Sequence, residues 1–412
     1  MRIAMTALLL SILLAGPIRT ASGAEDTASL TDAITSGKLI FNLRPRYEQV
    51  DQANFAEDAE ALTMRTLLGW ETGSWYGLSA KAEWINVSRG ISDYNDTLNG
   101  KTQYPVIADP DDNDINQIFI DYRGMQETLL RGGRQAIKLD KMRFVGDVAF
   151  RQVMQVFDGV IVENKSLRKT NLYAGYLARV KTVTTRDFDT DTILLNGRYS
   201  LTPADALVAY GYFQDQFNAI NSGAFLGQPP TDTSNQIVGI RGDGAHPLSD
   251  AWKLLYTAEY ASQTDYKSGD PRIDADYLRL GAGAKWHGYL LRIDYENLGS
   301  NDGQYAFQTP LGTNHLYQGW ADVFLTTPKQ GIKDTYLTGS AEIAKLTLKA
   351  EYHDFAADFG GLDFGSEFDI GLSYPFLKQL TGKIEYADYR AGDTGTGKVD
   401  VNKLWLTLIF NF

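Results

Sequence analysis

The 412-residue sequence contains no cysteine, which excludes disulfide staples and thiol chemistry. It has only four histidines, His246, His287, His315 and His353, and no two stand at zinc-ligand spacing. No G-x-S-x-G nucleophile elbow is present, so an enzyme would have to build its site without a local motif. Long hydrophobic runs are also missing. Met5 to Ala15 is the single strongly apolar stretch, well short of the ~20 residues that a spanning helix needs. Positive charge is in deficit, with 39 basic against 51 acidic residues and a net charge of −12, a poor balance for binding nucleic acid.

The short apolar stretch follows Arg2 and leads to Ser22 and Ala24, small residues three and one before a cut, then Glu25 and Asp26. That order reads as a secretory signal peptide over 1–24. Losing Arg2 and Arg19 with it takes the net charge from −12 to −14. Residues 25–37 read as a short polar periplasmic segment, with a helix capped by Ser29 and stopped by Gly37. The remaining 38–412 read as one domain.

Mean hydropathy of −0.27 suits a soluble protein, yet membrane barrels escape hydropathy because only alternate residues face lipid. Alternation recurs from Lys38 to the last residue. Leu39, Phe41, Leu43 and Tyr47 share one face of the first strand, with Asn42, Arg44, Arg46 and Glu48 on the other. Tyr76, Leu78, Ala80, Ala82 and Trp84 oppose Ser79, Lys81 and Glu83; Tyr289, Leu291, Ile293 and Tyr295 oppose Arg292, Asp294 and Glu296. A soluble sandwich alternates too. Here, however, the polar face carries several charges per strand, and the apolar face starts or ends in Tyr or Trp, as an interfacial girdle does. Connectors alternate short and long, the long ones at 88–114, 136–156, 218–233, 299–333 and 390–399. The count comes to about eighteen strands. The fold class is therefore all-β, a transmembrane antiparallel up-and-down barrel closed by a strand ending in Phe412.

Two motifs mimic ligand sites. Gly392 to Lys398 has the spacing of a phosphate-binding P-loop, but Val399 stands at the Ser/Thr position and a strand follows instead of a helix. Asp109 to Asp114 begins like a calcium loop, but Asp114 replaces its glycine and Ile120 its closing Glu. Both read as polar outer loops, and neither a metal nor a cofactor is expected.

The polar faces are richer. Arg44, Arg46, Arg65, Lys81, Arg123, Arg198, Arg279, Arg292, Lys349, Lys383 and Lys403 all fall on the lumen side, with Glu48, Glu83, Asp121, Asp294, Glu296, Glu351, Asp369 and Glu385 among them. These charges either pair across the wall and stiffen it, or select the solute. The connector 136–156 holds Arg143, Phe144, Phe150 and Arg151, and 319–325 holds Trp320 and Phe324. Such mixtures suit a loop folded inward better than a solvated tip.

Four stretches resemble the alginate-export family of outer-membrane channels. They are Ser29 to Ala33 with Leu43 to Glu48; Gly133 to Gln135 with Arg143 to Gly146, Phe150 to Gln152 and Phe157 to Gly159; Gly319 to Asp322 with Phe324 to Pro328; and the terminal Phe412. The resemblance implies an eighteen-stranded, porin-like channel passing polar, often anionic, solutes. Its matching arginines are Arg44, Arg46, Arg134, Arg143 and Arg151. The expected function is passive or facilitated diffusion of small polar or anionic solutes, including oligosaccharides such as uronates. The alternatives are an outer-membrane enzyme or a sealed structural or adhesive barrel. Expected partners are outer-membrane lipid and lipopolysaccharide, the barrel-assembly machinery through the C-terminal strand, and the solute. Oligomeric state is left open.

Overall fold

A computed structural model describes residues 26–216 and 232–412, so the expected signal peptide and most of the 218–233 connector lie outside the described residues. Eighteen strands form one antiparallel sheet. In chain order they begin with β1 (Lys38–Gln52), β2 (Ala59–Glu71), β3 (Leu78–Asp93), β4 (Asp112–Met125), β5 (Thr128–Gln135) and β6 (Val156–Asn164). Next come β7 (Thr170–Lys181), β8 (Asp187–Ser200), β9 (Asp205–Gln216), β10 (Asn235–Pro247), β11 (Trp252–Asp265), β12 (Asp274–Trp286) and β13 (Tyr289–Leu298). A two-stranded hairpin, β14 (Ser300–Asn301) and β15 (Tyr305–Ala306), sits in the longest connector. The wall resumes with β16 (Ile332–Ile343), β17 (Leu346–Ala356), β18 (Asp363–Pro375), β19 (Leu380–Ala391) and β20 (Val401–Asn411). β1 pairs with β2 along one edge and with β20 along the other, so the sheet closes on itself. The last residue joins the closure: Phe412 N–H donates to Phe41 O at 2.9 Å.

Closure is what lets strands cross lipid, because no backbone edge is left without a partner. Alternation then sorts the side chains. In β2, Ala59, Ala61, Thr63, Arg65 and Leu67 are buried inward, while Leu62, Met64, Leu68 and Trp70 are exposed on the outside. The outer face continues as an apolar band through Ile118, Ile120, Ile240, Leu291, Ile293, Leu337, Ile384 and Leu408. An apolar surface this extensive marks contact with membrane. Aromatics rim it. At the end carrying both termini, Trp252, Trp286 and Tyr289 are neighbours, with ring centroids 6.1 and 5.7 Å apart. At the opposite rim Tyr260 donates its hydroxyl to Asp276 at 2.8 Å, and Trp84 its indole N–H to Asn113 at 2.9 Å.

Connectors on the terminal side are tight, as at 126–127, 287–288 and 344–345, whereas 94–111, 136–155 and 299–331 lie on the other side. Helix α1 (Leu30–Thr35) has Ser29 at its N-cap, accepting from Asp32 N–H at 3.0 Å. It packs on the β2–β3 turn, where Gly73 N–H donates to Ala33 O at 2.8 Å. β5 and β6 lack clear alternation: Thr128 and Leu129, Val156 and Phe157, and Ile161 and Val162 are buried as neighbours. Gly133, at φ 132°, has backbone where a Cβ would lie, 2.2 Å from Ile118 O. Such close approach excludes a side chain and blurs the pattern.

Orientation follows from connector lengths: short turns periplasmic, long loops outside. Because the chain has no cysteine, single cysteines report cleanly. With a membrane-impermeant maleimide on intact cells, Leu98→Cys in the 94–111 loop should label and Lys378→Cys in the 376–379 turn should not; the reverse pattern would invert the barrel.

Candidate functional site

Two long connectors, 136–155 and 299–331, leave the rim and cross the lumen. They are joined to one another first. Gly146 N–H donates to Leu311 O at 2.8 Å, Thr313 N–H to Met142 O at 2.9 Å, and Tyr317 hydroxyl to Lys141 O at 2.7 Å. Phe144 then enters a socket of Tyr210, Tyr212, Tyr277 and Phe307, with ring centroids 5.2 to 6.4 Å away. Packed aromatic pairs of this kind add about 0.5–1.5 kcal/mol each beyond burial. Arg143 beside it bridges Glu296 of the wall at 2.9 Å, donates to Gln318 at 3.0 Å and lies 4.5 Å over the Tyr317 ring.

On the opposite wall the first strand grips the loop backbone. Arg44 donates to Gln152 at 2.8 Å, to Ala149 O at 2.9 Å and to Arg151 O. Arg46 donates to Phe150 O at 2.8 Å and sits 4.4 Å over the Phe150 ring. Arg151 is the joint between strand and loops. It bridges Glu48 at 3.1 Å and Asp322 at 2.8 Å, with Asp109 at 3.9 Å. His315 is 2.9 Å from Asp322 and stacks on Phe150 at 3.4 Å, and Lys403 lies 3.7 Å from Asp322. Burial would raise the Asp322 carboxyl, but His315, Lys403 and Arg151 outweigh it and hold Asp322 well below the usual carboxylate range. Asp322 therefore stays ionised through neutral and mildly acid pH.

Above this joint, on the long-loop side, opens a vestibule of about 800 Å³. Arg151, His315, Asp322 and Lys403 lie along it with polar side chains such as Gln308, Asn314 and Thr182.

The residues singled out from sequence thus divide. Arg44, Arg46, Arg143 and Arg151 are buried in loop attachments. Arg65 is buried too, donating to Asn42 at 2.8 Å, and Arg279 donates to Tyr336 at 2.8 Å. Towards the terminal side the lumen keeps more open cations. Lys81 pairs with Glu83 at 2.9 Å, Arg123 with Asp121 at 3.3 Å, Arg292 with Asp294 at 2.5 Å and Lys349 with Glu351 at 2.6 Å. Arg198 lies 3.9 Å from Asp243. Arg134 pairs with Asp158 at 2.8 Å. The acidic run 109–114 is not a solvated tip: Asp109 is fully buried and accepts Gln152 N–H at 2.7 Å. Asp112 and Asp114 both pair with Lys181, at 3.0 and 2.8 Å, and Asp111 pairs with Arg89. Lys398 of the P-loop mimic donates to Val323 O at 3.0 Å and covers Phe324, so it too fastens a loop.

Sequence reasoning missed Lys141 and Arg241. Arg241 bridges Asp140 at 2.7 Å and Asp243 at 2.6 Å, but glycines at 239, 242 and 244 hide the alternation of its strand. Asp322 carried a usable signal, since it closes the Gly319 to Asp322 stretch.

Removing the Arg151 guanidinium leaves Glu48 and Asp322 short of a buried partner, a loss of about 3–5 kcal/mol for such a pair. The cost falls on the loop attachment and not on the strand ladder. Arg151→Ala should therefore keep its heat-modifiable gel shift yet show larger or noisier single-channel conductance; unchanged traces from a folded variant would show that Arg151 does not hold the loops.

A family profile described as alginate export matches residues 41–293. Among solved structures, the chain is similar to Pseudomonas aeruginosa OpdQ at 16% identity and TM-score 0.69, over 91% of this chain and 98% of that one. It is similar to Acinetobacter baumannii OccAB4 at 15% identity and TM-score 0.70, over 91% and 98%, and to the Pseudomonas aeruginosa outer membrane protein opdK at 14% and 0.69, over 92% and 99%. No curated protein matches the sequence. The structural likenesses speak for the barrel, and the profile spans more than half the chain: the protein is a bacterial outer-membrane β-barrel and belongs to the alginate-export family.

Proposed function

We propose that the barrel is a channel for passive or facilitated diffusion of small anionic solutes, uronate oligosaccharides among them, and that it carries no catalytic site. The observation that supports this most is the distribution of cations in the lumen. The most buried arginines hold the loops, while Arg123, Arg198, Lys349 and Lys383 keep 51%, 43%, 43% and 37% of their side-chain surface open on the terminal side. Rings of Arg and Lys in a confined lumen favour anions, because low-dielectric walls focus the field and salt screens it less. The net negative charge of the whole chain resides partly in rim acids such as Glu57 and Asp58, screened within about 10 Å at 0.1 M salt.

Reversal potentials in a planar bilayer under a salt gradient test this reading. Mild anion preference is expected, and Arg198→Ala with Lys349→Ala should move it towards cations. Arg44→Ala with Arg46→Ala should change conductance more than selectivity, since both side chains are committed to loop carbonyls. Strong cation preference in the unmodified protein would overturn the anionic reading, and absence of any conductance would favour a sealed barrel.

Lys141 adds a pH signature. Its side chain lies in the lumen, where Nζ donates to the buried Thr257 of the wall at 3.2 Å. Burial first, then the Arg279 guanidinium with Arg241 and Arg292, against the opposing pull of Asp243, push its ammonium down to about 8. It is charged below that pH and neutral above it. Anion preference should therefore decline between pH 7 and 9, and Lys141→Arg should flatten the profile; a wild-type profile flat over that range would remove Lys141 from the passage.

A further inference from the structure

Away from the Arg151 joint, one patch of the inner wall gathers acid without matching base. Glu351 and His353 alternate on β17, and their direct partners on β18 are Asp369 and Glu367. The four side chains form a two-by-two grid on the lumen face, where directly opposed Cβ atoms stand ~5 Å apart. Asp334 of β16 approaches from the side. Asp334, Glu351, Glu367 and Asp369 are all buried; Lys349 reaches Glu351 from a half-open position at 2.6 Å, and the buried Lys403, held by Asp322, attracts Glu367 without pairing with it. Burying charge without such compensation is costly.

The 299–331 loop covers the grid and satisfies part of it. Trp320 donates its indole N–H to Glu351 at 2.9 Å and its backbone N–H to Asp369 Oδ2 at 3.3 Å, and Ala321 N–H donates to Glu367 Oε1 at 2.6 Å. Thr338 hydroxyl donates to Glu351 Oε1 at 2.8 Å. Three buried polar atoms receive no protein donor, His353 Nε2, Glu367 Oε2 and Asp369 Oδ1, and the Glu367 and Asp369 carboxyls lie within hydrogen-bond reach of each other, so without an added cation they must share a proton. The imidazole is already oriented. Its Nδ1 lies 2.9 Å from Asp334 Oδ2, so Asp334 engages Nδ1 and leaves Nε2 turned towards the grid. Nε2 faces Asp369, 3.9 Å from Oδ2, and becomes a ligand when a metal displaces its proton. Potential ligand atoms of Glu351, His353 and Asp369 all lie within 4.8 Å of one another. A carboxylate behind a histidine whose other nitrogen faces further carboxylates is the outer-shell arrangement that metal-binding histidines use.

We propose that this grid binds one divalent transition-metal ion of the zinc type through His353 Nε2 and the carboxylates of Asp369 and Glu351, with Glu367 completing the set, and that the ion fastens the 299–331 loop to the wall. Positive charge supplied there neutralises the buried acids and occupies the three free atoms together. An imidazole among the ligands favours zinc-type ions over calcium or magnesium, which take oxygen donors. The site is separate from the conducting role and stands whether or not the lumen conducts.

The test uses the full mature barrel, folded in detergent, stripped with chelator and titrated with Zn²⁺ by calorimetry, with bound metal counted after dialysis. About one Zn²⁺ per chain is expected. Asp334→Asn should weaken binding by roughly 10–100-fold, as loss of an outer-shell partner does, and His353→Ala should abolish it. His246→Ala, at the terminal-side rim, should bind as the unmodified protein does. A hundredfold excess of Ca²⁺ should not displace the ion. The heat-modifiable gel shift identifies folded variants, and His353→Gln replaces His353→Ala if the latter does not fold. Failure of the folded unmodified barrel to bind zinc stoichiometrically would overturn the proposal and leave shared protons to neutralise the grid. Undiminished binding by a folded His353 variant, or displacement by calcium, would overturn it equally.

Discussion

In hydrocarbon a backbone N–H or C=O has no water to bond, and each one left unpaired costs several kcal/mol. The pairing of β1 with β20 removes the last open edge, and the rest of the molecule depends on it. Once the sheet is closed, alternate residues have no choice of environment. One set meets lipid and becomes the Leu, Ile and aromatic band, and the other set meets the lumen. The lumen face can then be charged because it need not touch lipid, and loops that enter it find both apolar sockets and ionic partners.

The charges inside follow an order along the barrel axis. Lys81–Glu83, Arg292–Asp294, Lys349–Glu351 and Lys383–Glu385 are same-face pairs two residues apart on strands running away from the terminal side. Asp121–Arg123 repeats the order on a strand running the other way. In each the cation lies nearer the terminal end and the acid deeper. Deeper still, the acids meet the arginines of the loops: Glu296 meets Arg143, and Glu48 meets Arg151. Pairing across the wall and selection of the solute are thus not competing readings of the same residues, because they belong to different levels of the barrel.

The fold was largely legible because its signal has period two and depends only on neighbours in sequence. Tyr289 to Leu298 alternated cleanly and is a strand over that same range. The signal failed in β5 and β6, where neighbouring residues are buried together instead of alternately, and where glycines interrupt, as around Arg241. The candidate site was legible only in part. The mixture of Arg143, Phe144, Phe150 and Arg151 is wrong for a water-exposed tip, and that pointed inward. The sequence could not say which arginines stay free, because that depends on contacts such as Arg44 with Ala149, between residues far apart in the chain. Nor could it bring His353 opposite Glu367, since that needs the register of β17 against β18.

The 299–331 loop is held by two opposite kinds of chemistry. At one contact its Asp322 is the anion, set among Arg151, His315 and Lys403. At the next two residues back, Trp320 and Ala321 are donors, and the wall supplies the acid. Moving the loop away from either contact uncovers charge in a confined space: the cations around Asp322 on one side, the carboxylates of the grid on the other. Neither contact relieves the other, so a displacement of the loop faces both penalties together. The loop is accordingly part of the barrel interior in the energetic sense, and the width of the passage is set where these two contacts and the Phe144 socket leave lumen unfilled.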